Sequence, residues 1–282
     1  MLDILSANIA SLRKESGMTQ SELAASVGVT FQAVSKWETG QTLPDTAILP
    51  KLAETFGVSM DKLFGYDTAK AKNPVRYWDE SYAKDGYFWG VKPSWMCFKV
   101  MELLPPTRRL KLLDIGCGEG KDAVFFARCG YDVSAFDLSE IGVEKTKKLA
   151  DSANVQVNVF RADFQDFRLD SEYDILYSSG VFGYMKPELR SEIIENYKKY
   201  TAPGGINAFQ TFVEKPFIKP SPEKDKPGRE RNYFRSGELF TYYHDWYIHA
   251  VDEFIFDCNS SGIPHKHATN HIFAEKWDKG EI

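Results

Sequence analysis

The sequence predicts an α/β fold: a layered sheet of seven strands, preceded by a small all-α domain. Three observations carry this expectation. From Leu110 onward, apolar strand-like runs alternate with amphipathic helical stretches, as in a sheet covered by helices. At 112–120 the run Leu-Leu-Asp-Ile-Gly-Cys-Gly-Glu-Gly breaks a strand into a glycine turn just ahead of a helix. Residues 1–66 show only helical spacing and capping signals.

The first domain is expected at 1–66. Leu5, Ile9 and Leu12 fall on one helical face. Thr19 caps a second helix, and Glu22 completes a capping box. Gly28 supplies a turn, and Thr30 caps a third helix that runs to about Glu38, with Val34 and Trp37 facing inward. Ile48, Leu49, Leu52, Ala53 and Phe56 mark a fourth helix, and a short fifth follows Ser59. Two short helices around a Gly-containing turn form a helix-turn-helix. The stretch resembles the Cro/C1 (XRE) family through Met18-Thr19-Gln20, Glu22-Leu23-Ala24, Gly28-Val29-Thr30 and Val34 to Gly40 with Pro44-Asp45. The resemblance implies double-stranded DNA as partner. Gln20 would meet a phosphate, and Thr30, Phe31, Gln32 and Lys36 would meet base edges. Residues 1–70 hold six Lys/Arg against eight Asp/Glu. Arg13, Lys14 and Lys36 offer few phosphate contacts for one module, so either the domain binds DNA as a homodimer on a palindromic site or it serves as a protein-interaction module.

The whole chain has 282 residues, is 43% hydrophobic and 27% charged, and carries a net charge of −5 with a pI near 5.7. That length suits two domains, and the charge gives no global pull toward nucleic acid or an anionic membrane. No apolar run reaches membrane-spanning length, and the amino terminus lacks a secretory pattern. Cys97, Cys117, Cys129 and Cys258 are scattered without metal-ligand spacing. Thiols in a reducing cytoplasm are the simplest account.

Residues 67–75 read as a polar linker ending near Pro74, and 76–282 as the second domain. Its opening segment is aromatic-rich, from Tyr77 and Trp78 through Tyr82, Phe88, Trp89 and Trp95; packing on the sheet is the expected role of most of these rings, with cover of a cofactor site the alternative. Strands are expected at 111–115, 131–136, 155–161, 173–178, 205–213, 249–257 and 269–276. Helices are expected near 93–103, 120–129, 140–150, 187–202 and 236–244. The last two strands lack a helix between them and should pair antiparallel at the far edge.

Glycines 116, 118 and 120 let backbone amides approach a ligand. Asp137, ending the second strand, is placed to accept from ribose hydroxyls, so the unit reads as adenosine-binding. A dinucleotide fingerprint wants a third glycine where Lys121 stands. The carboxylate of Asp114 repels a pyrophosphate but suits a cationic amino acid. The run resembles the first motif of class I S-adenosylmethionine (SAM) methyltransferases, whose Rossmann-like sheet has seven strands. That resemblance implies SAM as cofactor, held by Asp114, Gly116, Cys117, Gly118 and Gly120. Asp137, Leu138 and Ser139 would grip the ribose, Ala162, Asp163 and Phe164 the adenine, and Ser178 and Ser179 would lie beside the sulfonium.

After the fourth strand stands Ser178-Ser179-Gly180-Val181-Phe182, not the Asp/Asn-Pro-Pro-aromatic sequence of DNA amino-methylating enzymes, and no cysteine follows a proline. Methylation of DNA is therefore disfavoured. The second domain resembles the TehB tellurite-resistance methyltransferases and, more loosely, thiopurine methyltransferases. The residues carrying this include Gly130 to Val133, Pro203-Gly204-Gly205, Phe234 to Tyr243, and Gly262-Ile263-Pro264-His265-Lys266. The resemblance implies a soft nucleophile or oxyanion as acceptor, with His265 and Lys266 at the catalytic end; Tyr184, two residues past Phe182, is a further catalytic-site candidate on the pocket wall. Lys266 stands where the family has Arg, turning a bidentate clamp into a point charge. His265, His267 and His271 share a strand face, but sulfonium transfer needs no metal and a further ligand cluster is missing, so no metal is expected. The Lys/Arg-rich stretch from Glu214 to Arg235 is expected to be a lid over the acceptor, or else a solvated loop. A regulator that senses SAM or another ligand without turnover is the competing reading, since the glycine motif serves both.

Overall fold

The structure is a computed structural model that describes residues 2–65, 74–219, 231–259 and 263–277. The chain forms two compact units, Met1–Asn73 and Pro74–Ile282. Of the expected linker, residues 67–73 lie outside the described residues.

The first unit has five helices: α1 (Leu2–Glu15), α2 (Gln20–Val27), α3 (Phe31–Glu38), α4 (Leu49–Phe56) and α5 (Met60–Leu63). Thr19 and Glu22 form the reciprocal capping box of α2, and the left-handed Gly28 ends that helix. The Thr30 hydroxyl accepts from the Ala33 amide to start α3. Leu5, Ile9, Leu23, Val34, Trp37 and Leu52 are buried together in a core of this unit's own.

In the second unit, α6 (Pro74–Tyr82) and α7 (Trp95–Leu103) precede β1 (Lys111–Ile115), α8 (Lys121–Arg128), β2 (Asp132–Asp137) and α9 (Glu140–Ser152). There follow β3 (Asn158–Arg161), β4 (Tyr173–Ser179), α10 (Arg190–Lys199), β5 (Thr201–Val213), α11 (Glu238–Thr241), β6 (Tyr247–Cys258) and β7 (His265–Glu275). The sheet order is β3-β2-β1-β4-β5-β7-β6. The first five strands are parallel, whereas β7 runs antiparallel to both β5 and β6. All seven expected strands and the antiparallel far edge are present. Helix α6 had no counterpart in the sequence reading.

Central strands are buried on both faces, so they read as continuous apolar runs. Period-two alternation sends Leu113, Phe136 and Leu176 to one core, and Leu112, Ala135 and Tyr177 to the other. From β1 the chain works outward to β3 on one side, then returns to β4 on the other. The carboxyl ends of β1 and β4 therefore flank a switch point, where open α/β sheets place their ligand crevice.

Candidate functional site

A cavity of about 330 Å³ opens at those strand ends. The volume is within the range of about 300–1,000 Å³ usual for small-molecule sites. After β1 the backbone takes positive φ at Gly116 (71°), Gly118 (57°) and Gly120 (84°). A Cβ on Gly116 would stand 2.7 Å from Val181, so the turn packs closer than any other residue allows. The amide of Gly118 donates to Asp137 Oδ2 and that of Ser139 to Oδ1, both at 2.9 Å. Burial pushes the Asp137 carboxyl up to about 6, partly offset by these two amides.

Asp114 lines the same cavity, fully buried, and its Oδ2 has no hydrogen-bond partner. Burial and the neighbouring Asp122 hold its carboxyl well above the usual range. A buried acid with one unpartnered oxygen beside a cavity fits a cationic ligand group. Leu138, Ala162, Asp163 and Phe164 line the wall beyond Asp137, and Ser179 lies opposite, donating to Gln210 Oε1 at 3.0 Å.

Three expected cofactor contacts lie elsewhere. Ser178 is fully buried and donates to the Ile115 carbonyl at 3.0 Å, because alternation along β4 turns it away from the cavity. Gly120 meets α9 instead: a Cβ there would stand 2.5 Å from Thr146. Ser139 caps α9 by accepting from the Gly142 amide, and donates to Asp79. Asp114, Gly116, Cys117, Gly118, Asp137, Leu138, Ala162, Asp163, Phe164 and Ser179 all line the cavity.

Of the expected catalytic residues, Tyr184 lines the cavity, edge-on to Trp78 at 6.0 Å. Lys266 does not: strand alternation sends it to the opposite face, where Nζ pairs with Asp257 at 2.7 Å. His265 adjoins the wall, and its Nε2 lies 2.9 Å from Nε2 of His267, which does reach the cavity. His271 leaves the proposed histidine trio, since its Nδ1 donates to Asp252 at 2.8 Å. Burial depresses the His271 pKa against the pull of that carboxylate. Cys258, not His271, stands beside His265 and His267.

Sequence reading passed over Glu119, Asp122, Gln210, Phe212, Tyr233 and Phe256, all on the cavity wall. The aromatic segment divides: Trp78, Tyr82 and Trp89 line the cavity, whereas Trp95 packs on Phe254, His271 and Phe273 of the sheet. Of the stretch from Glu214 to Arg235, Arg231 and Tyr233 reach the wall, and residues 220–230 lie outside the described residues.

On α3, Thr30, Phe31, Gln32 and Lys36 are exposed. Arg13 is tied to Glu38 by two bonds of 2.6 and 3.0 Å, and Gln20 donates to the same carboxylate at 2.8 Å. Against the cost of burial, these bonds hold Glu38 below the usual carboxylate range. Arg13 is thus committed inside the domain, whereas Glu38 engages one of the two N–H donors of the Gln20 amide.

Comparison with known proteins follows this division. The family model described as "Tellurite resistance protein TehB" matches residues 97–260, more than half of the chain. The chain belongs to the TehB family. A helix-turn-helix family model matches residues 9–63. The probable S-adenosyl-L-methionine-dependent methyltransferase TehB of Haemophilus influenzae is 27% identical over 136 residues, 48% of this chain and 46% of that protein. The ubiquinone biosynthesis O-methyltransferase of Rickettsia akari is 27% identical over 104 residues, 37% of this chain and 41% of that protein. This TehB-family chain spans about half the length of the curated relatives it matches. The crystal structure of Haemophilus influenzae TehB superposes with a TM-score of 0.57 at 22% identity, covering 72% of this chain and 67% of that one; the likeness shows the fold alone. Among the described residues, no helix is long and apolar enough to cross a membrane.

Proposed function

We propose that residues 76–282 form a SAM-dependent methyltransferase acting on a small soft nucleophile or oxyanion, joined through 67–75 to a DNA-binding domain at 1–66. One observation supports the cofactor above all. The buried Asp114 carboxyl, whose Oδ2 has no partner, and the amide-anchored Asp137 carboxyl share one glycine-floored cavity. Asp114 would take the ammonium of SAM and Asp137 its ribose hydroxyls, with Leu138, Ala162, Asp163 and Phe164 around the adenine and Cys117 and Ser179 on the adjoining walls. When bound, SAM supplies a methyl group on a sulfonium, an electrophile with its leaving group already activated.

The chain's own residues then have two tasks, alignment and exclusion of water. Trp78, Tyr82 and Trp89 cover one side of the cavity. Tyr184, Phe212, Tyr233, Phe256 and His267 wall the other, and Arg231 gives that end positive charge suited to an anionic acceptor. His265 would act through His267. The exposed Thr30, Phe31, Gln32 and Lys36 of α3 are the DNA-reading set, and a palindromic site read by two copies would make up for the few basic residues.

Incubating the full chain with methyl-labelled SAM and a panel of thiols, selenite and tellurite tests the enzyme reading. Label should pass to a soft acceptor. The fused helix-turn-helix favours one competitor, a regulator that senses SAM. Tight SAM binding with no transfer to any acceptor, together with altered operator affinity, would establish it instead.

A further inference from the structure

At the hairpin of β6 and β7, strand register sets Cys258 directly opposite His265. His265 and His267 are two residues apart and therefore share a face of β7. The Cys258 Sγ and one ring nitrogen from each histidine all lie within 4.8 Å of one another. None of the four cysteines is in a disulfide, so Cys258 keeps a thiol. One sulfur and two imidazoles make a donor set suited to a thiophilic cation.

The hydrogen bonds around the cluster favour the same reading. Nδ1 of His265 lies 2.7 Å from the Ile263 carbonyl, which can only accept. The tautomer with its proton on Nδ1 satisfies that carbonyl and leaves the lone pair on Nε2, the atom aimed at His267. A backbone carbonyl fixing the far nitrogen is the usual outer-shell support of a metal-ligating histidine. The His267 ring is held by Phe212 at 5.0 Å and Phe256 at 5.8 Å, and it is buried. In tetrahedral zinc sites two ligand nitrogens stand roughly 3.3 Å apart, so the 2.9 Å His265–His267 contact opens only slightly.

Placement gives the site a direction. Cys258 and His267 line the cavity, and His265 adjoins them, partly exposed at the hairpin. A cation held by the three would border the cavity on its Cys258 and His267 side. Three protein ligands with a fourth position open is the arrangement of catalytic rather than structural zinc.

We propose that Cys258, His265 and His267 bind a thiophilic divalent cation, Zn²⁺ by donor chemistry, with its open position facing the cavity. Binding releases the Cys258 thiol proton to solvent and leaves a thiolate ligand. The open position suits a soft anion, a thiolate or a selenolate. Calling that anion the methyl acceptor rests on the methyltransferase reading, whereas metal binding does not.

The full chain, purified with a chelator and then titrated with Co²⁺, tests this directly. The expected spectrum has the ligand-field bands of a four-coordinate ion and a thiolate-to-cobalt charge-transfer band, saturating at one ion per chain and displaced by Zn²⁺. Cys258→Ser should remove the charge-transfer band, and His265→Ala should weaken Co²⁺ binding roughly 100-fold or more. Adding 2-mercaptoethanol to the Co²⁺ protein should shift the spectrum, and an unchanged spectrum would overturn the open position. Wild-type protein without the charge-transfer band, or Cys258→Ser protein that keeps it, would overturn the site; the wild-type spectrum decides even where a variant fails to fold. SAM calorimetry on the same samples separates these failures from failure of the methyltransferase reading.

Discussion

Asp137 accepts from two backbone amides yet is buried enough to hold its carboxyl up to about 6. The ionised carboxylate is the form that accepts from ribose hydroxyls. SAM affinity should therefore be full above that value and fall as the pH drops through it, the direction set by a raised carboxyl pKa. Calorimetry at about pH 7.5 and about pH 5 reads the difference, with Asp137→Asn losing the dependence. Replacing the carboxylate altogether in Asp137→Ala should weaken SAM binding by about 10- to 100-fold, since hydrogen bonds to charged groups are worth about 1.5–3 kcal/mol. Asp137 and Asp114 were legible in the sequence because each ends an apolar strand beside glycines. The orphaned oxygen of Asp114 was not legible, since strand pattern fixes where a side chain sits but not which of its atoms finds a partner.

Gly120 shows how one position can be read correctly as special and wrongly as to cause. Its positive φ and the approach of Thr146 make it the contact between α8 and α9. Gly120→Ala should cost about 2–4 kcal/mol of stability through overpacking and left-handed strain, read as a lower melting temperature. Strand β7 is the opposite lesson. Period-two alternation alone separates Lys266 from His265 and His267, yet a family pattern had placed Lys266 at the site. Cys258 could not be found from spacing, because only the hairpin register sets it against His265. In the helix-turn-helix, capping residues fixed α2 and α3 from sequence alone. Its exposed face predicts that Gln32→Ala with Lys36→Ala abolishes sequence-specific binding to the protein's own promoter in a gel-shift assay, while melting stays unchanged. Retained binding would remove those side chains from recognition.

Each unit carries its own hydrophobic core. Alternating apolar and amphipathic segments were enough to specify the α/β sheet, because buried parallel strands leave continuous apolar runs. The cavity's far wall was not specified, because Gln210, Phe212, Tyr233, Phe256 and His267 come from segments distant in sequence that meet only once β5 and β7 pair. Helix α6 escaped notice although Trp78 and Tyr82 keep helical spacing, because Pro74 and the polar stretch before it read as a linker. The central claim is that this cavity holds SAM, and calorimetric titration of the full chain with SAM at neutral pH tests it most directly. Saturable binding at a single site, competed by the demethylated product, is the result the account predicts. No heat of binding from correctly folded protein, or preference for a nicotinamide dinucleotide, would contradict it.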